Sequence, residues 1–164
     1  MAYFEFIKHI DHLLESEGWS KVTNDQDDKG GLTKFGISQR AFPDIDIKGL
    51  TVEKAKALYF KEYWVKGRCG DLPKYLQYIH FDSCVNHGPG TAARLLQKGI
   101  GEEYVKIDGD FGQKTFENSY RCSLADYVAQ RALYYAKIVK SDPTQIKFLV
   151  GWNNRLVNVA KVKI

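Results

Sequence analysis

No stretch of this sequence is apolar for long enough to cross a bilayer, and none of its helical patterns approaches that length. The first residues, MAYFEFIKHIDH, hold neither a basic leader nor an apolar block closed by small residues. Synthesis in the cytoplasm without a signal peptide or integral membrane segment is therefore the expectation. Cysteine is scarce: Cys69, Cys84 and Cys122 cannot all pair within one chain, which favours a reduced compartment during synthesis and reads as small buried apolar side chains. None of the three has a neighbour pattern typical of a catalytic thiol or a zinc ligand. HExxH, GxSxG and phosphate-loop motifs are also missing, which removes the commonest routes to a zinc amidase, a serine hydrolase or a nucleotide enzyme. There is no internal repeat, low-complexity tract or linker.

What is present is a chain of 164 residues, 44% hydrophobic, long enough for a single domain with a core and too short for two comfortable ones. The expected domain is residues 1–164. Net charge is +4, but unevenly placed. Residues 121–164 carry Arg121, Arg131, Lys137, Lys140, Lys147, Arg155, Lys161 and Lys163 against Asp126 and Asp142, a balance of +6 that leaves −2 for the remainder. A solvated helix face accounts for such a run. Electrostatic contact of this basic C-terminal part with an anionic cell envelope is the functional reading, and no nucleic-acid partner is expected because no reading motif accompanies the charge.

The patterning is mainly helical. Phe6, Ile7, Ile10, Leu13 and Leu14 give a first amphipathic helix that runs to Glu17 and stops at Gly18. A β-like turn at Phe35-Gly36-Ile37 follows. Thr51 predicts an N-cap for a helix over 51–64, and Pro73 the first turn of a central, buried helix over 73–86. A short helix over 91–99 is expected to end at Gly99. Ser123 with Asp126 predicts a capping box for the next helix, with Leu124, Tyr127, Val128, Arg131 and Tyr135 on one side. Asp142-Pro143 opens the last helix, whose inner stripe is expected to be Ile146, Leu149, Val150, Asn153 and Val157. Trp64 and Trp152 read as packing residues.

The stretch over residues 15–38 organises the chemistry. A carboxyl on the last helical turn faces the negative end of the helix dipole, which disfavours ionisation and suits Glu17 to general acid catalysis. A solvated glutamate is the plain alternative. The following loop holds Asp25, Asp27 and Asp28, any of which offers a second carboxylate, or a turn aspartate bonding local backbone. Asp25-x-Asp27-x-Lys29-Gly30 imitates an EF-hand, but Lys29 and Gly36 stand where ligands are needed, so no metal or other cofactor is expected. Gly30 and Gly31 allow a sharp turn or close approach to a ligand. Trp19, in the loop beside Glu17, offers a large aromatic face with a free polar edge, suited to lining a cleft. Asp82 and Asn86 share a helix face, and the Asn86 amide either hydrogen-bonds a ligand or caps its helix.

The run Glu17-Gly18, then Asn24-Asp25-x-x-Asp28-x-Gly30-Gly31-x-Thr33-x-x-Gly36-Ile37, resembles the signature of glycoside hydrolase family 108, N-acetylmuramidases that cleave peptidoglycan. Further matches follow in order: Leu58-Tyr59, Tyr63-Trp64, Leu72-Pro73, Phe81-Asp82, Val85-Asn86, Gly88, Leu96-Gln97, Asp108-Gly109, Arg131, Gly151-Trp152 and Arg155. The chain departs from that pattern at Trp19, where a second glycine is usual, and in a loop over 17–28 that is two residues longer. The resemblance implies a mainly α, lysozyme-like fold with a catalytic part over 1–93 and a C-terminal helical part over 94–164 like the family's peptidoglycan-binding region. It further implies a monomer acting on peptidoglycan glycan strands of the cell wall after release, in the manner of a phage endolysin. Glu17 would be the acid, Asp28 the stabiliser or water activator and Thr33 the water holder, with Trp19, Gly31, Asp82 and Asn86 contacting substrate. A lytic transglycosylase using the same acid and a non-catalytic wall-binding protein are the alternatives.

Overall fold

The computed structural model describes residues 2–16 and 32–162, which fall into two compact units, Met1–Glu62 and Tyr63–Ile164. Among the described residues there are seven α-helices and one two-stranded hairpin. The architecture is mainly α, with the small β-like region after the first helix, as expected. No described helix is long and apolar enough to cross a membrane.

In the first unit, α1 (Ala2–Ser16) buries Phe6, Ile10, Leu13 and Leu14 completely, the face its periodicity predicts. The Phe6 ring meets Phe60 edge-on at 5.2 Å, and Asp11 pairs with Lys56 at 2.7 Å. β1 (Thr33–Lys34) and β2 (Ile37–Ser38) pair antiparallel, Thr33 opposite Ser38 and Lys34 opposite Ile37. Their two-residue turn places both Phe35 (φ 54°) and Gly36 (φ 73°) in the left-handed region, the backbone a tight right-twisted hairpin requires. Phe35 is held there by its buried ring and by its carbonyl, which accepts from Tyr59 Oη at 2.9 Å. α2 (Val52–Tyr59) begins at the expected cap, Thr51 Oγ1 accepting from the Lys54 N–H.

The second unit is built around α3 (Lys74–His87), against which α4 (Pro89–Ile100), α6 (Leu124–Ser141) and α7 (Ile146–Lys161) all pack. Leu76, Ile79, Phe81 and Cys84 are buried on α3, and so are Gln77, His80, Asp82 and Ser83, so the helix is enclosed on every side. Two of its buried polar side chains are satisfied by nearby carbonyls: Gln77 Nε2 donates to the Leu72 carbonyl and Ser83 Oγ to that of Ile79. Pro73 caps α3 from outside rather than occupying its first turn.

Two sequence expectations change here. α4 continues through Gly99 and ends at Gly101, whose φ of 108° is the left-handed stop. Gly99 serves packing instead, since a Cβ there would lie 2.4 Å from Cys122 Sγ. On α7 the inner face is Leu156 and Val159 with half-buried Trp152 and Arg155, whereas Ile146, Val150, Asn153 and Val157 are exposed. Apolar residues stand on both faces of this helix, so the periodicity picks out the wrong stripe. α5 (Gln113–Asn118) and a 3-10 turn over 119–121 lead to α6. α6 opens with the predicted capping box: Ser123 Oγ accepts from Asp126 N–H, and Asp126 Oδ2 accepts from Ser123 N–H.

Candidate functional site

Of the candidate residues in the sequence, Glu17, Trp19, Asp28 and Gly31 lie outside the described residues, as do Asp25, Asp27 and Gly30. Thr33 is half-buried on β1, in the first unit. Asp82 and Asn86 lie on α3, in the second.

Asp82 has no exposed surface, and its carboxylate faces two guanidinium groups rather than solvent. Arg155 of α7 reaches Oδ1 through Nε (3.0 Å) and Nη2 (2.7 Å). Arg131 of α6, itself fully buried, brings Nη1 to 2.5 Å from Oδ2 and donates from Nε to Tyr135 Oη at 2.8 Å. The Arg131 contact with Oδ2 is a charge pairing without the alignment of a hydrogen bond, because neither Nη of Arg131 has an aligned acceptor. One carboxylate against two guanidinium groups leaves this buried cluster with an excess positive charge. Asn86 Nδ2 donates to the main-chain carbonyl of Asp82 at 2.8 Å, one helical turn back on α3.

Beside the cluster lies a cavity of about 410 Å³. Asn86 and His87 from the end of α3 form one wall, Tyr134, Tyr135 and Ile138 from α6 a second, and Trp152 and Arg155 from α7 a third, with Gln145 at the rim. The aromatic rings brace one another, Tyr135 with Trp152 at 5.3 Å and His87 with Tyr134 at 5.1 Å. Burial, then the charge of Arg131, pulls the His87 imidazole down to about 4, so the ring is neutral near pH 7, and its Nε2 is buried without a hydrogen-bond partner. Aromatic faces, an amide, a neutral imidazole and a guanidinium around one opening suit a sugar ring that carries an acetamido group and a nearby carboxylate.

Asn86 is thus the one of these candidates that the structure places in a cavity, while Asp82 stands behind it. Trp152 does more than pack, since it also lines the opening. Nothing in the sequence points to His87 or Gln145: their signal is spatial, and no local motif marks either.

A family model described as Glycosyl hydrolase 108 matches residues 10–88, and one described as Predicted Peptidoglycan domain matches residues 91–157. Among solved structures, SagA from Brucella abortus is 26% identical, with a TM-score of 0.79 over 94% of this chain and 91% of that one. No curated protein sequence matches. The Asn86–His87 wall of the cavity falls within the first matched segment and the Tyr134, Tyr135 and Trp152 walls within the second, so one opening is built from both.

Proposed function

We propose that this glycoside hydrolase directed at peptidoglycan, whose residues 10–88 match the Glycosyl hydrolase 108 model and whose residues 91–157 match the Predicted Peptidoglycan domain, hydrolyses the β-1,4 bond between N-acetylmuramic acid and N-acetylglucosamine, with Glu17 as general acid. The observation that carries this reading is that the Glu17-Gly18 run and the following Asp28, Gly31 and Thr33 pattern all fall inside the matched segment. Cleavage of a glycosidic bond needs a proton on the leaving oxygen while the sugar acquires oxocarbenium character. Glu17 supplies that proton. Asp28 then stabilises the positive charge or activates water, with Asp25 and Asp27 the competing carboxylates, and the Thr33 hydroxyl holds the water.

Trp19 and Gly31 contact the glycan strand in this scheme. Asn86 offers its amide to an acetamido or hydroxyl group, and the Asp82 carboxylate stands behind it, engaged by Arg131 and Arg155. The excess positive charge behind the cavity supports the same class of ligand, since the lactyl or peptide carboxylate of a muramyl residue is anionic.

The test is turbidity clearing of purified murein by wild type and by Glu17→Gln, which removes the transferable proton at almost constant volume. Wild type should clear the suspension, and the variant should lose nearly all activity while unfolding at the wild-type temperature. Equal clearing rates would refute the role of Glu17. Product masses add the second decision: reducing ends mean water was the acceptor, and anhydro ends mean the sugar's own 6-hydroxyl was, which makes the enzyme a lytic transglycosylase. Sedimentation with murein but no clearing by wild type would leave a wall-binding protein.

A further inference from the structure

Away from that cavity, three ligand-type side chains meet in the core of the second unit. Cys69, in the 3-10 turn over Cys69–Asp71, and His80 and Cys84, one turn apart on α3, are all fully buried, and their ligand atoms lie within 4.8 Å of one another. We propose that Cys69, His80 and Cys84 form a structural site for one zinc-class divalent ion that ties the turn over 66–72 to the central helix.

The donor set fits such an ion on chemical grounds. Two thiolates and one imidazole are soft to borderline ligands that select zinc over magnesium or calcium. Two thiolates also neutralise a divalent charge, so the complex is uncharged and suits a dry interior, the two thiol protons leaving to solvent as the ion binds. Bonds of about 2.3 Å to sulfur and about 2.0 Å to nitrogen place tetrahedral ligand atoms roughly 3.5 to 3.8 Å apart, within a small side-chain adjustment of the observed separation.

The surroundings orient the ligands. The His80 Nδ1 lies 2.9 Å from Tyr127 Oη, which donates in turn to the Ala92 carbonyl at 3.1 Å. Without an ion, Nε2–H donates to the Gly67 carbonyl at 2.9 Å; ion binding at Nε2 displaces that carbonyl and leaves the neutral ring's proton on Nδ1, where Tyr127 Oη accepts it. Gly67 is where the backbone closes in: a Cβ there would stand 2.4 Å from Cys84 Sγ, 3.2 Å from Cys69 Sγ and 2.6 Å from the Tyr63 carbonyl. That same carbonyl oxygen, 3.7 Å from Cys69 Sγ, is one protein candidate for a fourth ligand. Cys69 is separated from His80 by ten residues and His80 from Cys84 by three, a spacing that shows as a site only once the turn folds back on the helix.

Cobalt(II) reports the site directly. The full chain, stripped of metal and kept reduced with a phosphine, is titrated with cobalt both as the folded protein and during refolding from denaturant. One equivalent should give thiolate-to-cobalt charge transfer in the near ultraviolet together with the visible bands of a tetrahedral ion, both removed by zinc. Cys69→Ser and Cys84→Ser should abolish the charge-transfer band, and Cys122→Ser should leave it intact. Tyr127→Phe, which removes the outer partner of His80, should weaken cobalt by about 10- to 100-fold. Wild type alone can overturn the proposal: only the pale spectrum of hydrated cobalt in both protocols, with Cys69 and Cys84 alkylating as free thiols after denaturation, makes the cluster a plain buried contact. Retention of the band in Cys84→Ser would overturn it equally. None of these readouts depends on murein hydrolysis, so they stand or fall apart from the role of Glu17.

Discussion

At the scale of single residues, Asp82 holds two guanidinium groups, one of them fully buried. Arg131 has no exposed surface, and the Asp82 carboxylate and the Tyr135 hydroxyl are its polar partners. A guanidinium enclosed in that way is tolerable only while its counter-charge is present. Asp82→Asn keeps the shape and removes the charge, leaving two guanidinium groups against a neutral amide. The expected loss is about 3–5 kcal/mol of folding stability, read as a lower urea midpoint at unchanged slope. Adding Arg131→Met to that variant should restore a large part of the loss, because an apolar side chain of similar length has no charge to compensate. A loss below about 1 kcal/mol in Asp82→Asn would mean that water or another group already screens Arg131. The sequence marks Asp82 as a helix-face neighbour of Asn86 and, by resemblance, a substrate contact, and its clamp is invisible there because Arg131 and Arg155 arrive from helices far along the chain.

At the scale of elements, what the sequence reveals follows how local the deciding interaction is. The Ser123–Asp126 capping box and the Thr51 cap are legible because donor and acceptor sit three residues apart. The enclosed character of α3 is legible because apolar residues appear on all its sides. Gly99 misleads, since a glycine near a helix end has two uses, termination and close packing, and only the position of Cys122 chooses between them. That choice is testable. Gly99→Ala drives a methyl against the Cys122 sulfur and should cost about 1–3 kcal/mol by thermal or urea unfolding, although alanine is the better helix former. Combining it with Cys122→Ala, which removes the obstructing sulfur, should recover most of that cost, giving a coupling energy well above the about 0.5 kcal/mol expected of independent sites. Simple additivity would show that the helices separate freely instead of meeting at this contact. The stripe of α7 fails for the opposite reason: Ile146, Val150 and Val157 form a regular apolar row that is exposed, and periodicity alone cannot say which of two rows faces inward.

At the scale of the whole chain, the two matched segments meet between α3 and α4, yet those helices pack against each other within one compact unit. The clamp on Asp82 crosses the same seam, with the carboxylate in the first segment and both guanidinium groups in the second. It also shows why the +6 balance of residues 121–164 overstates the charge available to an envelope, since Arg131 is enclosed and Arg155 turns its guanidinium to Asp82. Cutting at the seam should therefore fail where cutting at the start of the second unit succeeds. A chain ended at residue 90 strips α3 of α4, α6 and α7 and exposes its buried Leu76, Ile79 and Phe81, so it should be insoluble or lack a cooperative melting transition. A fragment of residues 63–164 keeps α3 with all three partners and the whole cavity. It should melt cooperatively with a helical circular dichroism spectrum, bind a soluble muropeptide through Trp152 and Asn86, and leave the glycan uncut, since it lacks the proposed acid, Glu17. Independent folding of residues 1–90, or a fragment 63–164 that stays unfolded at low temperature, would place the true boundary at the seam between the two matches.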